Sequence, residues 1–126
     1  MDVTASIRNL RIAPKKVRLI ADLVRGRKAS VAVTELRFRA KRAAQPMRKL
    51  IESAVANAEH NFKLKGDDLV ITRVIVDEAV KMKRFFPRAF GRATPIRKRG
   101  SNVTLTVSDS VKAAPVVAKK PHVASK

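Results

Sequence analysis

The sequence predicts an α+β fold in which three helices pack on a small antiparallel sheet and one long β-hairpin protrudes. Apolar residues recur with a helical period in three segments between residues 14 and 62. Three further segments are rich in alternating or β-branched residues, as is typical of strands. The last two strands are separated by residues 77–101, which have no helical period and contain many cations. These observations favour a folded body with a basic hairpin between two of its strands.

The chain is expected to begin with a strand and a helix. Val3, Ala5 and Ile7 alternate with polar residues, as in a half-buried strand. Pro14 suits the first position of the following helix, where an N–H would lack a partner, and Gly26 is expected to end that helix. The predicted apolar face of the helix contains Val17, Leu19, Ile20, Ala21, Leu23 and Val24.

Two more helices are expected before residue 66. Ser30 is the predicted N-cap of a short helix. The apolar residues of that helix are Val33, Leu36 and Phe38. The third helix has the clearest period, and its predicted core stripe is Met47, Leu50, Ile51, Ala54, Val55, Ala58 and Phe62. Pro46 is tolerated only in a first turn, so this helix is expected to begin near Ala43 or later. Arg48 can pair with Glu52 at i, i+4.

The C-terminal strands are predicted to enclose the hairpin. Leu69–Val76 is expected to pair with Asn102–Val107. Residues 77–101 then form a hairpin with its tip near Ala89–Gly91. The distance from Val74 to that tip is roughly 50 Å if the chain is extended at about 3.3 Å per residue.

Near the tip, the backbone is expected to depart from regular pairing. Pro87 and Pro95 cannot donate ladder hydrogen bonds and are expected to break the pairing there. Gly91 allows a positive φ. We expect residues 1–109 to form one domain, and residues 110–126, which contain no acid and no periodic pattern, to be a disordered basic tail.

The charge balance is the strongest functional signal. The chain has 29 Lys and Arg against 10 Asp and Glu, a net charge of +19, whereas a small domain usually carries about 2–8 charges of net magnitude. A charge this large destabilises a compact chain unless a polyanion relieves it, so nucleic acid is the expected partner. Residues 79–108 contain eight cations and no acid.

Several other classes of protein are excluded or disfavoured. The chain has no cysteine, so disulfides, cysteine-ligated zinc and thiol catalysis are excluded. We find no catalytic constellation and no glycine-rich phosphate loop, so we expect no enzyme, no metal and no cofactor. His60, beside Asn57 and Asn61, has no second histidine nearby and no cysteine, so metal binding there is disfavoured, and a polar or RNA-facing role stays open. No apolar run is long enough to cross a bilayer, so no membrane partner is expected.

The candidate RNA-binding residues form a cluster around the first helix and a run along the hairpin. They are Arg8, Arg11, Lys15, Lys16, Arg18, Arg25, Arg27, Lys28, Lys81, Lys83, Arg84, Arg88, Arg92, Arg97, Lys98 and Arg99. A solvated surface is the competing interpretation, which is stronger for the helix than for the hairpin. The three phenylalanines of the hairpin, Phe85, Phe86 and Phe90, either pack against each other or stack on unpaired bases, and both interpretations stay open.

An architectural DNA-binding protein with basic β-arms is the alternative function. Such proteins usually dimerise and carry an Arg-Asn-Pro-like arm tip, which this sequence lacks. We expect no homo-oligomer here. A basic membrane-surface peptide is disfavoured because no helix combines a basic face with sufficient hydrophobicity.

Four stretches of the chain carry a resemblance to a known family. They are Pro14–Gly26, Leu50–Asn61, Val76–Glu78 and the span from Lys83 through Arg88–Arg92 to Asn102–Val107. On these motifs the chain resembles the bacterial large-subunit ribosomal protein L22 family, the universal tunnel-hairpin protein, and the match as a whole covers residues 1–109. The sequence departs from the commonest bacterial members at Ala40, Pro46, Phe85, Phe86, Phe90, Thr94 and Pro95.

The resemblance implies a structural constituent of the large ribosomal subunit, located in the cytoplasm, that binds large-subunit ribosomal RNA during assembly. It also implies neighbouring ribosomal proteins and the nascent peptide as partners. In that family the body lies near the exit of the nascent-peptide tunnel, and the hairpin tip lines the tunnel wall. The residues assigned to the tip by position are Met82, Phe90, Gly91, Arg92 and Ala93.

Overall fold

The fold was analysed in a computed structural model that describes residues 1–109 of the chain. Those residues form three α-helices and five β-strands in an α+β arrangement, which confirms the predicted fold class. The helices are Pro14–Val24 (α1), Ala29–Phe38 (α2) and Ala44–Phe62 (α3). The strands are Asp2–Leu10 (β1), Leu69–Glu78 (β2), Met82–Pro87 (β3), Ala93–Lys98 (β4) and Ser101–Asp109 (β5). The predicted tail, residues 110–126, lies outside the described residues.

The body contains a three-stranded antiparallel sheet in the order β1–β5–β2. The central strand β5 alternates from Ser101 to Val107: Val103, Leu105 and Val107 are buried and the residues between them are half-buried. This alternation gives the sheet one apolar face for the helices to cover. The predicted pairing of Leu69–Val76 with Asn102–Val107 is confirmed.

The helices complete the core on that apolar face. The α3 helix contacts β1 and β5, while α1 contacts β2. The buried helical residues are Pro14, Val17, Ile20, Ala21, Val24, Ala29, Ala32, Leu36, Ala44, Met47, Leu50, Ile51, Ala54 and Ala58. They repeat at the spacing of three and four residues that places side chains on one side of a helix.

Three residues of the predicted apolar stripes lie outside the core. Leu19 is 65% exposed, because it lies about 100° around α1 from Ile20, away from the sheet. Phe38 is 85% exposed and Phe62 is 43% exposed. Each is the last residue of its helix and follows the last buried residue, which is Leu36 in α2 and Ala58 in α3. The period was therefore right, but the predicted stripes were too wide and too long.

The predicted N-cap of α2 is wrong by two positions. The cap residue is Lys28, in an extended conformation, and Ser30 lies inside the first turn of the helix. The reason is pairing with β2: the Gly26 N–H donates to the Ile71 carbonyl at 2.8 Å, and the Ile71 N–H donates to the Arg27 carbonyl at 2.9 Å. These bonds hold the preceding chain extended up to Lys28, so the helix begins immediately after it.

The third helix begins where the proline rule predicts. Its first residue is Ala44, so Pro46 lies in the first turn and removes no intrahelical donor. The expected i, i+4 pair is also present, with Arg48 Nε 3.4 Å from Glu52 Oε1. The helix ends at Phe62, and the C-cap residue Lys63 adopts a left-handed φ of 53° and donates its N–H to the Glu59 carbonyl.

The hairpin is a second, two-stranded antiparallel sheet formed by β3 and β4. Its register runs without interruption from Met82 opposite Lys98 to Pro87 opposite Ala93. The tip lies at Ala89–Gly91 as predicted, and Gly91 adopts the expected positive φ, 68°.

The two prolines do not break the pairing, which corrects the sequence prediction. The Arg88 N–H donates to the Arg92 carbonyl at 2.8 Å, which places that pair on the hydrogen-bonding side of the ladder. Hydrogen-bonded and non-hydrogen-bonded residue pairs alternate along an antiparallel ladder. Pro87 and Pro95 therefore both lie in non-hydrogen-bonded pairs, in which the N–H position points away from the partner strand. In a two-stranded ribbon that direction is solvent, so a missing N–H costs no ladder bond.

Candidate nucleic-acid interface

The hairpin is a basic surface without a core of its own. Every residue from 80 to 99 is exposed, including the eight cations of this segment. A two-stranded ribbon is only marginally stable by itself in water. Here the like charges along it add repulsion. The hairpin therefore presents its side chains to whatever surrounds it.

Both faces of the hairpin combine cations with an apolar group. Successive residues of a strand point to opposite faces, so the register fixes which side chains lie together. One face carries Lys83, Phe85, Pro87, Ala93, Pro95 and Arg97. The other face carries Met82, Arg84, Phe86, Thr94, Ile96 and Lys98. The hairpin can therefore bind an anionic partner on either side.

The three hairpin phenylalanines are exposed. Phe85 is 74%, Phe86 is 53% and Phe90 is 95% exposed. Phe85 and Phe86 are adjacent in β3 and point to opposite faces, and Phe90 lies in the turn with a positive φ of 57°. This arrangement disfavours mutual packing. The Arg88 guanidinium lies 5.5 Å from the centre of the Phe86 ring, so a cation and an aromatic face are presented side by side.

The base of the hairpin is held by an acidic residue. Glu78 lies 2.6 Å from Lys81 Nζ and 3.3 Å from Arg99 Nη1. The hydrogen bond and charge of Lys81, supported by the charge of Arg99, lower the pKa of the Glu78 carboxyl. The Ala79 N–H also donates to the Gly100 carbonyl at 3.0 Å. Two of the eight hairpin cations thus have an intramolecular partner at the junction with the body.

The predicted body cluster separates into two groups. Arg8, Arg11, Lys15 and Lys16 are exposed, and the described residues provide none of them with an ion-pair partner. Arg18, in contrast, donates from Nε and Nη2 to the Val76 carbonyl at 3.3 and 3.1 Å. The first group is available for phosphates, whereas Arg18 also ties α1 to the sheet.

Arg25, Arg27 and Lys28 lie at the junction of α1 and α2. Arg25 donates to the Val74 carbonyl at 3.0 Å, and Arg27 pairs with Glu35. Lys28 is exposed and occupies the N-cap position of α2. All sixteen candidate cations are exposed, and they lie in three parts of the fold: the hairpin, the α1 surface and this junction.

Sequence reasoning missed a further basic segment between α2 and α3. Arg39, Lys41 and Arg42 are exposed and line a groove together with Arg11 and Lys16 from the α1 side. Three cations within four residues were visible in the sequence. They were overlooked because only the fold brings them next to α1.

Two other features bear on the site. His60 is exposed near the end of α3, and residues 1–109 contain no group of three potential ligands that could hold a metal ion. Of the helices in this part of the chain, none is both long enough and apolar enough to cross a membrane.

Met82, assigned to the tip from the resemblance, lies at the base of β3, opposite Lys98.

Comparison with known families identifies the chain. A family profile described as Ribosomal protein L22p/L17e matches residues 5–108. Proteins of this family are structural, non-enzymatic constituents of the large ribosomal subunit. The resemblance noted in the sequence and the predicted location in the cytoplasmic large subunit are therefore confirmed, and so is the prediction that the chain is not an enzyme.

Proposed function

Because the chain belongs to the ribosomal protein L22p/L17e family, we propose that it binds large-subunit ribosomal RNA during assembly through the sixteen candidate cations. In this proposal the body lies near the exit of the nascent-peptide tunnel and the hairpin tip lines the tunnel wall. Residues 1–109 act as one domain, with residues 77–101 as its extension.

One observation carries the proposal: the hairpin is a fully exposed ribbon with eight cations and no acid between residues 80 and 99. Such a ribbon repels itself in isolation. RNA phosphates around both faces relieve that repulsion, and each phosphate neutralised releases counterions into solution. The hairpin therefore gains stability from the same contacts that connect RNA segments to the body.

The turn is the part of the hairpin that suits a tunnel wall. Phe90 and Gly91 lie in the turn, Arg92 and Ala93 follow it where β4 begins, and Phe90 is almost fully exposed. In the proposed position at the tunnel wall, these four residues face the lumen and contact the nascent peptide. Met82 lies at the other end of β3, opposite Lys98, and therefore belongs to the base of the hairpin and not to its tip. Phe85 and Phe86 stack on unpaired bases, one on each face.

The salt dependence of RNA binding tests the role of the hairpin. We expect substitution of Lys83, Arg84, Arg97 and Lys98 by Gln to reduce the slope of log K against log salt by about 3, because each lost phosphate contact removes about 0.7–0.9. The measurement is a salt titration of the full chain binding to large-subunit RNA. The control changes Lys63 and Lys65 to Gln, both exposed at the opposite end of the body.

Two results would contradict this proposal. One is a hairpin variant whose slope equals that of the parent chain, which would leave the hairpin without phosphate contacts. The other is an untagged chain that never sediments with large subunits at any stage of assembly.

A further inference from the structure

A groove of about 590 Å³ lies between the start of α1 and the linker that connects α2 to α3. Its floor is apolar: Ile12, Ile20 and Ala43 are buried beneath it. Leu19 and Leu23 form the more exposed part of its wall, and Leu19 is 65% exposed. We call this feature the α1 groove.

Five cations surround the apolar floor of the α1 groove. Arg11 and Lys16 approach from the α1 side, and Arg39, Lys41 and Arg42 approach from the linker side. All five are exposed, and the described lining residues include no acid. An apolar floor between two rows of cations is complementary to a ligand with a flat apolar centre and a negative charge on either side.

The linker side of the rim is conformationally defined. The Lys41 N–H donates to the Arg39 carbonyl at 2.8 Å, and the Ala44 N–H donates to the Lys41 carbonyl at 2.9 Å. The Arg39 guanidinium also lies 3.5 Å from Glu35 Oε1, one helical turn earlier. The backbone bonds fix the linker and the ion pair restrains the Arg39 side chain before any ligand arrives, which reduces the entropy lost on binding.

We propose that the α1 groove holds one unpaired nucleotide of large-subunit ribosomal RNA, with its base against the leucines and its two flanking phosphates on the two cationic rims. The inference rests on the proposed RNA-binding function and adds the apolar floor and the α2–α3 linker to the surface that the sequence assigned to RNA. Three of the five rim cations are arginines, whose planar guanidinium both stacks on bases and binds phosphate oxygens in pairs.

A protein partner is the competing occupant, and the shape of the groove disfavours it. A docked amphipathic helix needs apolar anchors at i, i+3, i+4 and i+7, and hence a long apolar stripe on the receiving surface. Here the only large apolar side chains on the accessible part of the wall are Leu19 and Leu23, beside the small Ala13 and Ala40, and cations lie on both sides. A single base between two phosphates matches this short, two-sided site.

Salt titration separates a base contact from a phosphate contact. We expect Leu19→Ser to weaken binding to large-subunit RNA by about five- to tenfold at every salt concentration, because the contact with the base is uncharged. Arg42→Gln is expected to lower the slope itself by about 0.7–0.9. Val31→Ser is the matched control, since Val31 is 51% exposed on α2.

Photocrosslinking in assembled large subunits then identifies the occupant. The full chain carries p-benzoylphenylalanine in place of Leu19, with the same replacement of Val31 as control. We expect a single strong reverse-transcription stop in large-subunit RNA for position 19. A crosslink from position 19 to another protein, or equal results for both positions, would overturn the inference while leaving RNA binding by the hairpin intact. Failure of the parent chain to enter subunits would instead refute the proposed function, and the inference with it.

Discussion

Arg18 and Arg25 show how a cation in a very basic protein can serve the fold. Their guanidinium groups donate to the carbonyls of Val76 and Val74, which lie on an edge strand of the body sheet. Edge strands carry unpaired backbone groups that invite pairing with another chain. The two arginines occupy two of these acceptors and at the same time attach α1 to β2.

A pair of substitutions on α1 separates the folding role from the binding role. Arg18→Met keeps an apolar stem but loses both bonds to the Val76 carbonyl, so we expect the free energy of unfolding to fall by about 1 kcal/mol. Lys15→Met, on the same helix, should change it by less than about 0.5 kcal/mol. Urea denaturation measures both values. Equal values for the two variants would show that the Arg18 bonds do not stabilise the fold.

The hairpin depends on its junction with the body, because β3 and β4 have no core to stabilise them. Glu78 binds Lys81 from one strand connection and Arg99 from the other. Gly100 is buried there, and a Cβ on it would lie 3.3 Å from the Leu10 carbonyl oxygen. The junction therefore combines two ion pairs, a backbone hydrogen bond and a close backbone approach.

The junction should respond to acid. Because the pKa of Glu78 is lowered in the folded state, its ion pair stabilises the junction above the ordinary carboxyl pKa and is lost as the pH falls through the lowered value. We expect the protection factor of the Ala79 amide, measured by hydrogen exchange, to fall over that range. Glu78→Gln should show weaker protection at neutral pH and little dependence on acid. A parent chain whose Ala79 protection is unchanged across this range would exclude the mechanism.

At the scale of the whole molecule, charge opposes folding. The chain carries a net charge of +19, and the body must form its core despite that repulsion. Six ion pairs among the described residues offset only part of it. All six are exposed or partly exposed, and such pairs contribute little each. The isolated protein is therefore less stable than its core alone would make it.

Salt that screens the repulsion between these cations should therefore stabilise the isolated chain. We expect the Tm to rise by about 4–8 °C between low and moderate NaCl, which corresponds to roughly 1 kcal/mol in a domain of this size. Thermal unfolding followed by circular dichroism measures the change. An uncharged osmolyte at matched osmolality controls for general solvent effects. A Tm that is constant or falls with NaCl would show that repulsion is not a significant term.

Much of this architecture was predictable because it follows local rules. The proline in the first turn of α3, the alternation in β5 and the tip at Ala89–Gly91 all depend on neighbouring residues. The errors arose where distant parts of the chain meet. Pairing of Arg27 with Ile71 displaced the predicted cap of α2, and the hairpin register placed Pro87 and Pro95 where no ladder bond is lost.

The sequence by itself determined the fold class, the basic hairpin and the family, because periodicity, charge and motif spacing are properties of the chain in order. Only the tertiary structure decided which cations are tied to backbone carbonyls and which surround the α1 groove. The physical reason is that a hydrogen bond or a groove depends on distances between residues far apart in sequence. Arg18 and Val76 are 58 positions apart, yet their contact assigns that arginine a role that composition does not reveal.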